Sequence, residues 1–258
     1  MTSTRQSNRN KIMNNFRKGA VALLFWLAVW QIAAMLIGKA LILPSPLDVL
    51  QVLLRLIVTP VFWKNTLITL VRILSGYLLG ILASGLLAYL TCSSPLAKSI
   101  IAPMIQVMRA TPVASFIILA LLWMGKARVP VLISMLMVIP IVWQNLNEAY
   151  EAIDPNLLEM GRAYYLNYRD MLRYIYLPAI TPAFLSGCLS AMGLSWKSGI
   201  AAEVLSQPSL AIGTRLYNAK VYLETAELFA WTLCVILLSL CIEKGIRALF
   251  AALSAKRR

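Results

Sequence analysis

The chain has 258 residues, of which 60% are hydrophobic and only 13% charged, with a formal net charge of +14. Soluble domains carry roughly 45–50% apolar and about 25% charged residues, so this composition excludes an ordinary water-soluble fold and points to lipid. The 24 lysines and arginines lie between and at the ends of apolar runs. That distribution argues against a nucleic-acid-binding face and for basic segments beside anionic lipid headgroups.

No histidine occurs, and the four cysteines (Cys92, Cys188, Cys234, Cys241) lie in or beside apolar runs without a CxxC pair. Zinc, haem and histidine-based acid–base chemistry thus lose their commonest ligand or base, and no metal site is expected. The thiols read as small hydrophobes, not as a disulfide framework.

Residues 1–18 make a polar tail with Arg5, Arg9, Lys11, Arg17 and Lys18. The uncharged run 19–38 is long enough to cross the bilayer, which takes about 20 apolar residues. It exceeds the core of a signal peptide and is expected to be a retained first span. Residues 39–65 are mixed: the turn Leu43-Pro44-Ser45-Pro46 precedes an amphipathic stretch over 47–58, expected at the interface. A second span covers 66–90, broken only by Arg72; in it Gly76, Gly80 and Ser84 recur every four residues. Small side chains on one helix face let a neighbouring helix approach closely.

A third span is expected over 99–124, interrupted by Pro103 and Pro112 and carrying Arg109. The turn 125–128 leads to a fourth over 129–146. The longest hydrophilic segment, 147–176, follows. A fifth span, 177–205, holds Lys197 and Glu203, and a polar loop, 206–227, precedes the sixth. That last span starts at Leu228 and is free of charge only to Ile242, so Glu243 or Lys244 must snorkel to the interface.

With the N-terminus inside, 14 lysines and arginines fall on the cytoplasmic side, 7 outside and 3 within spans. The positive-inside bias therefore places both termini and the 147–176 loop in the cytoplasm. In that loop Asp154-Pro155 is a helix start, a capping carboxylate with proline at the first position. Leu157, Met160 and Tyr164 then share one face, Asn167 can re-cap the chain, and 168–176 can form a second short helix with Met171, Leu172 and Ile175 on one side. Tyr164, Tyr165 and Tyr168 gather at the bend, a tip suited to a groove on another protein.

Glu159-Met160-Gly161, Tyr165 and Ile175-x-Leu177-Pro178 stand in register with the loop motif E-A-A-x3-G-x9-I-x-L-P. On those residues the chain resembles the permease subunits of binding-protein-dependent ATP-binding-cassette (ABC) importers. Met160 departs from the pattern, and Tyr165 stands where that family has glycine. Outside the loop the chain is similar to the nitrate/sulfonate/taurine subgroup, from Leu43-Pro44-Ser45-Pro46 through Thr69-Leu70-x-Arg72-x3-Gly76, Pro103, Arg109-x2-Pro112 and Leu122-Trp123-x-Gly125. Leu177-Pro178-Ala179, Trp196, Ala202-Glu203 and Ile212-Gly213 continue it, so the likeness covers roughly residues 43–245.

The resemblance implies an all-α membrane protein of about six transmembrane helices, with a cytoplasmic helix–turn–helix coupling loop between spans 4 and 5. The expected organisation is a basic tail (1–18), a first helix with an external segment (19–65), a permease core (66–250) containing the loop 147–176, and a basic tail (251–258). It also implies a multi-pass protein of the bacterial cytoplasmic (inner) membrane. Two copies of the chain would form the pathway, a cytoplasmic ABC ATPase would grip the loop through Glu159, Gly161, Tyr164, Tyr165, Leu166, Tyr168, Ile175, Leu177 and Pro178, and an external solute-binding protein would deliver the solute. ATP and Mg would sit on the partner, with no cofactor on this chain and no nucleic acid; the chain has no GxxxxGK[ST] phosphate loop of its own.

Charges inside spans cost at least about 2.5–3.5 kcal/mol and normally face protein or water. Arg72 lies near the outer end of its helix, where it can snorkel. Arg109, Trp196, Lys197 and Glu203 are the candidate pathway residues, favouring an anionic or zwitterionic solute. The alternative for the ionic ones is pairing that holds helices together, and for tryptophan it is interfacial anchoring. A stand-alone secondary transporter or channel would instead place a coupling-ion site at mid-membrane, and a membrane-embedded enzyme would need a clustered nucleophile, base or metal set.

Overall fold

A computed structural model of the chain describes the backbone of residues 2–255 and the side chains of residues 19–252, and among them every regular element is helical. In chain order the α-helices are α1 (Thr2–Ile37), α2 (Pro46–Ile57), α3 (Pro60–Ser93) and α4 (Pro95–Ala110). Next come α5 (Val113–Trp123), α6 (Val129–Glu151), α7 (Pro155–Ala163) and α8 (Tyr168–Met171). A π-helical turn (Leu172–Tyr176) leads into α9 (Leu177–Ser206), followed by α10 (Ile212–Val221) and α11 (Thr225–Ala255). Five helices are long and apolar enough to cross a membrane, and α4 with α5 make a sixth, broken candidate. The basic side chains expected in 1–18, and Lys256, Arg257 and Arg258, lie outside the described residues.

The chain divides into two compact units, Met1–Pro60 with Asn218–Cys234, and Val61–Tyr217 with Val235–Arg258. In the first, Ser45 and Asp48 form a capping box that starts α2, with Ser45 Oγ accepting from the Asp48 amide at 3.2 Å. Val49 and Leu53 bury one face of α2 while Leu50 and Leu54 stay exposed, and twelve residues are too few to span. The expected interfacial stretch is thus an amphipathic helix. The Trp30 indole donates to Pro44 O at 3.1 Å, and Thr225 Oγ1 donates to Leu41 O at 2.7 Å, which pins the turn before α2.

The second unit is built on α3, α6 and α9. A Cβ added to Gly76 would stand 2.3 Å from Val131 O, and one on Gly80 would stand 2.6 Å from Val138 Cβ. Ser84, buried one turn further on, donates to Gly80 O at 2.5 Å. The small-residue face read from the sequence is therefore the seam between α3 and α6. Gly199 of α9 is equally close, with Ile73 Cγ1 and Ser134 Oγ 2.7 Å from where its Cβ would be. Tyr77, Val138, Val142, Cys188, Ala191 and Met192 fill the core between these helices, and the Tyr77 hydroxyl donates to Cys188 O at 3.0 Å.

The interruption expected in the third span falls at one of its two prolines: α4 and α5 meet at 104°. Pro103 stays inside α4, whereas Pro112 takes the N-cap of α5 and forces Thr111 into the extended region. The helix of the sixth span, α11, continues past Ile242: Glu243 pairs with Arg247 one turn on, and Ile242, Ile246 and Phe250 pack against the core of α3, α6 and α9.

These contacts set a direct test of the seam. Gly76→Ala is expected to lower the thermal midpoint in detergent, with a loss of about 1–3 kcal/mol from overpacking. Gly85→Ala is the control, because a Cβ there meets nothing within 4 Å. Equal midpoints for the two variants would remove the close-approach explanation.

Candidate functional site

The loop between α6 and α9 is held at both ends. At its start Asn147 is buried, accepts from Thr91 Oγ1 at 2.7 Å and donates to Trp143 O at 2.9 Å. Asp154 then starts α7 by accepting from the Asn156 amide at 2.9 Å, as its pairing with Pro155 predicts. The outer side of α7 carries Leu157, Glu159 and Met160, all exposed. Its inner side is Gly161, which is buried; a Cβ there would meet Met171 Sδ at 2.4 Å and Ile175 Cδ1 at 2.9 Å. Gly161 is what allows α7 to fold back on the return segment.

The end of α7 is a Schellman turn. The Leu166 amide donates to Gly161 O and the Tyr165 amide to Arg162 O, each at 3.0 Å. This closure puts Tyr165 at φ +53°, in the left-handed region where glycine is normal. An L side chain there costs about 1–2 kcal/mol. So Tyr165, standing in the motif's glycine position, keeps the turn that a glycine would make. Its ring is 95% exposed, and that of Tyr164 is 75% exposed.

Asn167 re-caps the chain as expected, accepting from the Asp170 amide at 2.9 Å. The second short helix expected over 168–176 is not separate. α8 passes through the π turn into α9 without a break, and the Leu177 amide donates to Leu172 O five residues back. Pro178, at the start of α9, has no N–H for Tyr174 O, and a π turn relieves such a conflict between ring and carbonyl. Met171 and Ile175 face Gly161, while Leu172 turns to the other side. There it lines a cleft of about 670 Å³ with Tyr89, Tyr150, Tyr168 and Tyr176. Tyr150 and Tyr176 stack at 5.6 Å across its wall. Tyr168 borders this cleft while staying 67% exposed, and Tyr164 and Tyr165 form the turn that ends α7.

The candidate pathway residues separate into two kinds. Glu203 is fully buried. Arg72 Nη1 donates to its Oε1 at 2.6 Å, Thr69 Oγ1 to its Oε2 at 2.9 Å, and the Gly213 amide to Oε2 at 3.2 Å. The Ile212 amide in turn donates to Thr69 Oγ1 at 3.0 Å, so the carboxylate ties α3, α9 and the start of α10 together. Trp196 is buried too, its indole donating to Val235 O at 3.2 Å. Both side chains are taken up by contacts inside the bundle. Arg72 does not snorkel free; it holds Glu203. Arg109 and Lys197, in contrast, are exposed. Arg109 sits on the last turn of α4 at the break, where it donates to Gln144 Oε1, and Gln144 Nε2 donates to Glu148 Oε1 at 2.6 Å.

Residues 76–258 match the family model described as the binding-protein-dependent transport system inner membrane component. The chain belongs to this family of ABC transporter permeases. It is 30% identical over 203 residues to the putative aliphatic sulfonates transport permease protein SsuC of Escherichia coli (strain K12), covering 77% of this chain and 76% of that one. It is 25% identical over 207 residues to the SsuC protein of Bacillus subtilis (strain 168), covering 79% and 74%. With the taurine transport system permease protein TauC of Escherichia coli (strain K12) it shares 22% over 236 residues, covering 89% and 84%. A crystal structure of an amino acid ABC transporter with histidines has the same fold, with a TM-score of 0.60 at 15% identity over 76% of this chain and 94% of that one.

The permease is accordingly an all-α, multi-pass transport subunit of an ABC system, similar to sulfonate and taurine permeases, and a stand-alone transporter is not favoured. The family implies an ATPase and a solute-binding protein as partners. Sequence reasoning missed Thr69, Gly213 and Gln144 as members of these networks. Thr69 and Gly213 do fall within the strings Thr69-Leu70-x-Arg72 and Ile212-Gly213 that carry the family resemblance, but only folding shows that both meet Glu203.

Removing one member of a buried ion pair leaves the other charge uncompensated, at about 3–5 kcal/mol. Glu203→Ala is therefore expected to lower the thermal midpoint sharply, and the double change R72M/E203M to recover most of it. A double variant no better than Glu203→Ala would show that the carboxylate acts otherwise than through Arg72.

Proposed function

We propose that two copies of this permease form the pathway of an importer for small sulfonate-type oxyanions, anionic or zwitterionic, driven by a cytoplasmic ABC ATPase that grips residues 147–176. The observation that carries the reading is the loop itself. It is braced inside by Gly161 against Met171 and Ile175, presents Tyr164 and Tyr165 outward, follows α6 after three non-helical residues and runs without a break through the π turn into α9. Such a braced element transmits a push instead of absorbing it, and ATP-driven switching needs an element with two discrete packings. An external solute-binding protein delivers the solute, both termini are cytoplasmic, and hydrolysis with its ATP and Mg belongs to the ATPase.

Substrate class rests on two supports. The sulfonate and taurine names belong to relatives at 22–30% identity. Independently, Arg109 at the 104° break and Lys197 on α9 are exposed, while Glu203 is paired with Arg72. A cation without a carboxylate partner beside a pathway favours an anionic group.

Two measurements test this. Purification of the tagged chain from cells carrying its partners, in mild detergent, is expected to bring down an ATPase at about one copy per permease, as an ABC dimer requires. A chain recovered alone that still moves solute into liposomes without ATP would replace the importer with a secondary transporter. Arg109→Gln and Lys197→Gln are expected to cut sulfonate uptake about tenfold or more while the assembly stays intact. Unchanged uptake in both would take them out of the pathway.

A further inference from the structure

The outward faces of the spanning helices differ in chemistry. On α3 the exposed residues from Leu67 to Leu90 are leucines, Val71 and Tyr89, a face suited to lipid tails. On α9 the exposed line through the middle of the span reads Ser186, Ser190, Leu194, Lys197 and Ala201, at the three- and four-residue spacing of one helix face. Gly193 lies on the same face, and a Cβ added there would meet nothing within 4 Å.

The polar groups of this face are unused. Elsewhere in the spans Ser84, Ser206 and the exposed Thr232 donate to the carbonyl four residues earlier, the usual way for a helical hydroxyl to satisfy itself. Among the described residues Ser186, Ser190 and Lys197 make no side-chain hydrogen bond and no ion pair. Arg109 differs, since Gln144 already accepts from it. Against lipid tails these groups would lack partners, so the face belongs beside water or a polar solute. A tight seam with a second copy fits no better. It would bury the Lys197 ammonium, and the face has no carboxylate to pair with it.

Helical side chains lean toward the N-terminal turn, so Lys197 reaches over Gly193 toward Ser190, about 10 Å back along the axis. An ammonium with three donors and a hydroxyl with one thus flank a gap floored by bare backbone. A sulfonate group, with three oxygens and a fixed negative charge, accepts from both. Leu194 beside the gap is apolar, as are Ala201 and Leu205 further along α9, and no exposed residue of α9 is acidic. The ammonium of a zwitterion would meet no carboxylate here and would be repelled by Lys197.

We propose that this face of α9 is the solute's station inside the membrane. Lys197 and the Ser190 hydroxyl hold the sulfonate group and Leu194 meets its carbon chain, which selects an aliphatic sulfonate over a zwitterionic one. This rests on the importer reading above.

The first test uses the permease–ATPase complex without the binding protein. Gly193→Cys and Leu82→Cys are treated with a negatively charged, water-soluble thiosulfonate, and labelling above that of wild type is read without nucleotide and with ATP. Gly193→Cys is expected to label in at least one state and Leu82→Cys, on the leucine face of α3, in neither. Butanesulfonate is expected to slow that labelling about threefold or more, and taurine at the same concentration less. The second test reads ATP-driven butanesulfonate uptake with the binding protein present. Ser190→Ala is expected to lose about tenfold, the worth of one hydrogen bond to a charged group, at an unchanged thermal midpoint, and Ser190→Thr to recover most of it. No labelling of Gly193→Cys in either state, equal labelling of Leu82→Cys, or a disulfide joining two copies of Gly193→Cys would overturn the station. Equal protection by taurine would overturn the selection for an aliphatic chain. Full uptake by Ser190→Ala, or a loss with a lowered midpoint that Ser190→Thr leaves unrestored, would remove Ser190 from it. If wild type takes up no solute with ATP, the importer reading fails first.

Discussion

Lipid tails are as apolar as leucine, so helices in a bilayer gain little from hiding hydrophobic surface from one another. What holds them is close van der Waals packing and polar groups satisfied inside the protein. In this permease both occur on the same three helices. Gly76 and Gly80 bring α3 within backbone contact of α6, and Gly199 brings α9 against Ile73 and Ser134. The Glu203 carboxylate then receives Arg72, Thr69 and the Gly213 amide, leaving no buried charge unpaired at that junction. Everything else in the second unit is built on this seam: the broken α4–α5 pair, the loop, and the last turns of α11.

The seam explains why two sorts of intramembrane charge exist. A buried carboxylate in apolar surroundings is tolerable only with a full set of donors, and Glu203 has one. Among the described residues Arg109 and Lys197 form no ion pair, and both stay exposed. Sequence spacing gave no means of separating them, since all four charges, Arg72 included, interrupt otherwise apolar runs. The separating fact is that Arg72 and Glu203, 131 residues apart, meet across α3 and α9.

Local physics was legible where a few neighbouring residues decide the outcome. The four-residue recurrence of Gly76, Gly80 and Ser84 specified the α3 seam, Asp154-Pro155 specified the start of α7, and the Ser45-Pro46 turn specified α2 as an amphipathic helix. Legibility failed where distant contacts decide. Pro103 and Pro112 look alike in the sequence, yet Pro103 is absorbed within α4 and Pro112 becomes a helix start at a 104° break. No hydropathy pattern announces the π turn over Leu172–Tyr176, which joined two expected helices into one.

α6 is the element through which these parts communicate. Its C-terminal end becomes the loop, through Asn147 and then Asp154 at the start of α7. Its middle carries the glycine seam with α3 and the packing against α9. On its other side Gln144 receives Arg109 at the α4–α5 break, and Glu151 pairs with Lys98 at the opposite end of α4. α4 is thus tied to α6 at both ends by surface-exposed polar links that are individually weak, and between them Ile105 is buried against Ile139 and Trp143. In the proposed mechanism this difference in strength matters. The α3–α6–α9 seam is too tightly packed to shear, so a push on α7 moves it as one body. The polar ties at the two ends of α4 are exchangeable, whereas Ile105 holds its middle on α6. Arg109, proposed for the pathway, is joined to the loop 147–176 through one helix, α6.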